Sequence, residues 1–167
     1  VLDTDISVDL VKSGEKVISL DASDGGAKVK YMLSDLSVIN TPPVLKQIPE
    51  FELLLNVDKT FISKFISGKG ALPDTESFTV ISGDKTEVVI GYSSIATNRV
   101  AIPVENQTDN TIDNISFNAN LFKDVLEANK ECESAVLEVS SEGLARITFN
   151  INDYESTYYL VAVQNVN

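Results

Sequence analysis

Two stretches decide the fold: residues 58–66, DKTFISKFI, and residues 118–126, NANLFKDVL. Laid over one another at an offset of 60, they match Asp58 to Asn118 and set Phe61, Ile62, Phe65 and Ile66 on Leu121, Phe122, Val125 and Leu126. Apolar residues at i, i+1, i+4 and i+5 form one stripe of an α-helix. An Asp or Asn just ahead of the stripe can accept a hydrogen bond from a first-turn N–H, so each stretch predicts a capped amphipathic helix. The match continues at an offset of 59, where Val88, Ile90 and Tyr92 fall on Ile147, Phe149 and Ile151, and Val100, Ile102 and Val104 fall on Tyr159, Val161 and Val163. Self-similarity at one spacing is the mark of a duplicated supersecondary unit.

Each copy reads as strand, helix, three strands. In the first, residues 51–57 lead into the cap at Asp58, the helix runs to about Ser67 and stops near Gly68 and Gly70, and strands follow at 78–81, 87–92 and 99–104 with Ser82-Gly83-Asp84-Lys85 as the first turn. In the second, Ile115 and Phe117 lead to Asn118, the helix runs to about Asn129, and strands follow at 135–139, 145–151 and 156–163 with a turn at 140–143. The polar run ENQTDNTIDN at 105–114 suits an exposed crossover. Before residue 40 the three-strand pattern recurs without a helix, in Val8 and Leu10, then 17–20, then Val29, Tyr31 and Leu33, with Lys12-Ser13-Gly14-Glu15 as the turn. Because the chain opens partway through a unit and on Val, the expectation is a missing upstream segment of about 60 residues, by analogy with the repeat length. The expected organisation is strands of a truncated first domain at 1–39, a proline-bearing connector at 40–50 (NTPPVLKQIPE) and a complete second domain at 51–167.

The chain has 167 residues, 43% of them hydrophobic, enough for a real core. It holds no apolar run long enough to span a bilayer, and its first residues, VLDTDISVDL, carry charge where a secretory signal would be apolar. The expectation is a soluble protein of the cytoplasm. With one cysteine and no histidine there is no internal disulfide, no zinc set and no histidine-based catalytic triad, and Cys132 reads as a small, partly buried residue at a helix end. Asp109 with Asp113, or Glu131 with Glu133, could pair on magnesium, but they sit in polar loop and helix-end sequence where charge is ordinary. The N-x-S/T tripeptides at Asn106 and Asn114 are common by chance. Neither an enzyme nor any cofactor is expected.

The net charge of −12 argues against a nucleic-acid partner only if it is spread evenly. Screening at cellular salt acts over about 8 Å, so local distribution decides. The faces opposite the two apolar stripes carry Lys59, Ser63, Lys64 and Ser67, with Lys69 just beyond, and then Lys123, Asn129 and Lys130, diluted by Asp124, Glu127 and Glu131. These are either solvated helix surfaces or weak phosphate contacts that position a duplex without reading its bases. The strands at 28–33 and 99–104 would be exposed edges unless paired, as in a dimer or ring.

The residues together resemble a family. Two strand-helix-three-strand units per domain, the connector, KVKYMLSDLSVI at 28–39 and the run ISFNANLFKDVLE followed by SAVLEVSSEGLARITFNINDYESTYYLVAV resemble the DNA sliding clamps, the ring-shaped polymerase processivity factors. The ending STYYLVAV is similar to that of the proliferating cell nuclear antigen group, and the domain size is more like that of the trimeric clamps of tailed phages. The resemblance implies an α+β DNA clamp fold, with duplicated β-α-β-β-β units placing two helices on one face of an antiparallel sheet. It implies that Lys59, Lys64, Lys69, Lys123 and Lys130 face non-specific duplex DNA. Polymerase, clamp loader and other partners would dock by short peptides in a pocket of Val44, Leu45, Ile48, Pro49, Tyr159, Val161 and Ala162, unless the connector simply packs on its own domain. Lys28, Val29, Tyr31, Arg99, Val100 and Ile102 would lie at the subunit interface of a homotrimer when the protein is full length, in the host cytoplasm if phage-encoded. The rival is a sheet-based peptide-binding or assembly module with no DNA role.

Overall fold

The computed structural model describes residues 2, 5–39, 41, 47–93 and 98–163, and the chain divides into two compact units, Val1–Lys46 and Gln47–Asn167. In the first, strands β1 (Ser7–Ser13), β2 (Lys16–Ser23) and β3 (Lys28–Met32) form an antiparallel sheet in that order. Directly opposed residues share a face, so Val8, Ala22 and Val29 join Leu10, Leu20 and Tyr31 on an apolar side. That side lies open, with Tyr31 64% exposed. The other side is polar and holds the Lys30–Asp21 ion pair at 3.6 Å.

The second unit contains the duplication. Its first copy is β4 (Leu53–Asp58), α1 (Lys59–Ala71), β5 (Ser77–Ile81), β6 (Glu87–Ile90) and β7 (Val100–Pro103); its second is β8 (Ile115–Asn118), α2 (Ala119–Ala128), β9 (Ser134–Val139), β10 (Leu144–Ile151) and β11 (Tyr154–Val161). The strands form two antiparallel four-stranded sheets, ordered β11-β10-β9-β4 and β7-β6-β5-β8. Each copy therefore gives its first strand to the other copy's sheet. The register is symmetric: Asp58 lies opposite Ser134, and Asn118 opposite Ser77. Both caps form as expected, Asp58 accepting from the Phe61 N–H at 2.7 Å and Asn118 from the Leu121 N–H at 2.9 Å.

Both helices bury their stripes in a single core shared by the two sheets. Phe65 of α1 meets Phe122 of α2 edge-to-face at 4.9 Å, and Phe78 of β5 lies 4.8 Å from the same Phe122 ring. Such pairs add directional preference to the burial of large apolar area. One member of the expected stripe departs: Leu121, matched to the buried Phe61, is 57% exposed.

The free sides of β4 and β8 are sealed by backbone. Beside β4, the Asn56 N–H donates to Glu105 O at 2.9 Å and the Gln107 N–H to Leu54 O at 2.8 Å. Beside β8, the Val163 N–H donates to Ser116 O at 2.8 Å. The segment just beyond the last strand of each copy thus returns to that copy's first strand.

Helix α1, expected to run to about Ser67 and stop near Gly68 and Gly70, ends at Ala71, one residue beyond Gly70. Gly68 serves close approach, because a Cβ there would stand 2.9 Å from Val100 Cγ1 and 3.3 Å from Ile90 Cδ1. Strand β6 ends at Ile90, short of Tyr92, where Gly91 takes φ +80° and its missing Cβ would stand 2.7 Å from the Asn98 carbonyl oxygen. In the last strand the repeat offset is wrong by an odd number of residues. Val88 pairs with Ile102 and its counterpart Ile147 pairs with Tyr158, an offset of 56 and not 59. Slipping a strand by an odd count exchanges its faces. Tyr158 and Leu160 accordingly turn to the core, while Tyr159 and Val161 turn out.

Glu52, just before β4, ties three segments together. Its carboxylate accepts from the Ser141 hydroxyl and, at 3.0 Å, from the Ser141 N–H; its carbonyl accepts from Thr108 Oγ1 at 2.9 Å and Asn110 Nδ2 at 3.1 Å. The Ser141 hydroxyl is the main cause holding this carboxyl below the usual glutamate range, against the opposing effect of burial. A depressed folded-state pKa stabilises the protein above the unfolded value, and this contribution is lost as pH falls through the folded value. Acid denaturation of Glu52→Gln should therefore show a flatter loss of stability below the ordinary glutamate pKa than the parent; equal slopes would refute the assignment.

The two glycines of α1 give a paired test in urea denaturation. Gly68→Ala should cost about 1–3 kcal/mol through overpacking against Val100. Gly70→Ala, whose Cβ would meet nothing within 4 Å, should gain up to about 1 kcal/mol from helix propensity.

Candidate nucleic-acid interface

The helix surface offers fewer mobile cations than its lysines suggest. Lys59 Nζ lies 3.1 Å from Glu133 Oε1, across from the start of α1. Lys123 Nζ lies 2.9 Å from Glu127 Oε1, one turn along α2, and this hydrogen bond raises the lysine pKa above its ordinary value. Lys64 and Lys130 are exposed and make no ion pair among the described residues.

Lys69 is a correction. It is only 4% exposed, and its Nζ donates to Pro73 O at 2.8 Å and Leu72 O at 3.4 Å, just beyond α1. Asn129, also expected on the outer face, is buried too, donating through Nδ2 to Val125 O at 2.8 Å and Tyr158 Oη at 3.2 Å. The two residues correspond at the offset of 60. Both lie one helical turn beyond a stripe member, Phe65 or Val125, so the i+4 spacing already placed them on the inner face. Each satisfies carbonyls near a helix end, and neither can reach a ligand in the helix layer.

The expected peptide pocket is only partly assembled. Val44 and Leu45 lie outside the described residues. Ile48 is exposed and Pro49 half-buried. Tyr159 and Val161 share the outer face of β11, with Val161 73% exposed. Ala162 is a correction: it turns inward and packs against the core. Beside Tyr159 stands a group the sequence did not single out. Arg146 pairs across the sheet with Tyr159 and with Glu138, and its guanidinium grips both Glu138 oxygens, one at 2.7 Å, while lying 4.8 Å over the Phe51 ring. The Glu138 hydrogen bond raises the arginine pKa further.

Among the expected interface residues, Lys28, Val29 and Tyr31 are exposed on β3, an outer strand of its sheet. Strand β7 is likewise outermost, with Arg99 exposed just ahead of it and Val100 half-buried. Ile102 is a correction: at 2% exposure its side chain belongs to the core, and only its backbone lies on the edge. Cys132 is buried, its thiol directed to Ser134 O at 3.1 Å. Among the described residues no three Cys, Asp or Glu side chains gather to hold a metal ion, and no helix is long and apolar enough to cross a membrane. Asn106, in one N-x-T tripeptide, is committed to structure through its Oδ1, which accepts from Leu54 and Thr108.

No family model and no curated protein sequence matches the chain. Solved structures do. The crystal structure of proliferating cellular nuclear antigen from Entamoeba histolytica matches with a TM-score of 0.68 and 13% sequence identity, over 98% of this chain and 66% of that one. The chain thus has the α+β sliding-clamp fold, while spanning less than two thirds of that protein's length. Identity this low carries the architecture and not the ligands.

The burial of Lys69 separates its role from that of Lys64. Lys69→Ala should lower stability by about 1–3 kcal/mol, since it removes a buried side chain and the hydrogen bonds that close the end of α1, whereas Lys64→Ala should stay within about 0.5 kcal/mol. Thermal denaturation of the two variants side by side checks this.

Proposed function

We propose that this chain is the greater part of a sliding clamp subunit, which encircles duplex DNA and tethers a replicative polymerase to it. One observation carries the reading: a duplicated β-α-β-β-β unit sets two capped helices side by side in the fold shared with a proliferating cellular nuclear antigen. In this reading the helices face the duplex, and the exposed Lys64 supplies a mobile phosphate contact, with Lys130, beyond the end of α2, a lesser one. The outer strands β3 and β7 are the edges through which subunits join into a ring, a homotrimer when full length, as in phage-type clamps. Polymerase and clamp loader dock on the outer face around Ile48, Pro49, Tyr159 and Val161, with Val44 and Leu45 completing the groove. The setting is a cytoplasm, that of a host if the source is a phage.

A further β-α-bearing segment belongs to the same proposal. The β1-β2-β3 sheet bares Val8, Leu10 and Tyr31, whereas the apolar faces of the two four-stranded sheets of 47–167 pack into one core with the two helices.

The work of such a ring is mechanical. A closed ring holds DNA by topology, so each phosphate contact can be weak while the tethered polymerase stays at high effective concentration. No bond is made or broken, and no cofactor is called for.

The test combines assembly with synthesis. Sedimentation should give a multimer, and primer extension by the source's own replicative polymerase and clamp loader on a circular template should yield longer products when the chain is added. A monomer without effect on product length would transfer the reading to a sheet-based peptide-binding module, for which the outward Phe51, Tyr159 and Val161 are the candidate surface.

A further inference from the structure

We propose that duplex DNA is held against α1 by Lys64 and kept off α2 by Asp124, so that the two helices, alike in fold, have opposite parts in DNA contact. This rests on the clamp reading above. Lys64 and Asp124 hold the same place in the duplication, each the sixth residue after its N-cap. Both are exposed, and neither makes an ion pair among the described residues. At one and the same site of a symmetric frame, one copy presents a cation and the other an anion.

The surrounding charges do not undo the asymmetry. On α1, Lys59 is engaged by Glu133, and the Asp58 carboxylate, which lines the same groove as Lys64, keeps its charge but lies at the positive end of the helix dipole, where it accepts from the Phe61 N–H. Glu105 shares a shallow groove with Lys64, which weakens any phosphate contact there without replacing it. On α2, Lys123 is engaged by Glu127, and Lys130 lies beyond the helix with Glu131 beside it. Screening over about 8 Å lets the nearest free charge outweigh the chain's total. A phosphate nearing α1 meets a mobile ammonium; one nearing α2 meets a carboxylate first. Each phosphate neutralised contributes about 0.9 to the salt slope of duplex binding, so this domain should add about one such increment and not two.

The test is an NMR titration of the isotope-labelled chain with a short duplex of mixed sequence at low salt. In the parent, amides around Lys64 on α1 should shift and those around Asp124 should stay. Lys64→Glu should reduce the α1 shifts severalfold, Lys130→Glu should reduce them much less, and Asp124→Lys should bring the α2 amides into the shifting set; well-dispersed spectra confirm that each variant is folded. Equal shifts on both helices of the parent, or an Asp124→Lys spectrum that responds like the parent, would overturn the inference while leaving the clamp reading in place. Shifts confined to the outer sheet faces would overturn it too. Absence of any shift in the parent would remove the DNA role and this inference with it.

Discussion

Everything in the 47–167 unit depends on the crossed pairing of the two first strands. Strand β4 hydrogen-bonds to β9 and β8 to β5, so neither copy has a complete sheet without the other. Because each of these strands ends on the residue that caps the following helix, the pairing also fixes where α1 and α2 begin. Asp58 against Ser134 and Asn118 against Ser77 are therefore more than register marks. They set the two helices at matched heights, from which Phe65 and Phe122 can meet. A helix pair held only by side-chain packing could slide; here the backbone of two sheets determines its position.

The sequence reached this architecture because the decisive signals are local. A cap residue ahead of an apolar stripe, alternation along strands and a polar crossover are each written within a few residues, and they located every strand and both helices of the duplication to within a few residues. Errors arose where tertiary surroundings decided. Gly68 reads as a stop, yet its use is to let Val100 and Ile90 come near, which nothing in its neighbours reveals. The offset found for the helices was carried across connections of unequal length, residues 91–99 in one copy and the tight Asn152-Asp153 turn in the other, and the faces of β11 came out reversed. The charge of Lys69 suggests exposure, but its spacing from Phe65 is the better guide to its burial.

The candidate site shows the same division. That the helix layer carries lysines is plain from the sequence; which of them can meet a ligand is not. One caps its own helix, two are held by Glu133 and Glu127, and two are left. The net charge of −12 consequently says little about the helix face, where a handful of side chains decide the local field.

The crossed strands bear on how the protein is made. On a ribosome, the Leu53, Leu55 and Val57 side of β4 emerges long before Ser134–Val139, the partner it needs, has been synthesised. The first copy cannot close as it leaves the tunnel, and its apolar strand must wait, uncovered, until the second copy is about half translated. Such a segment is what chaperones bind and what drives aggregation of unfinished chains. A symmetric domain that looks like two independent halves is thus delivered by the cell as one indivisible folding event.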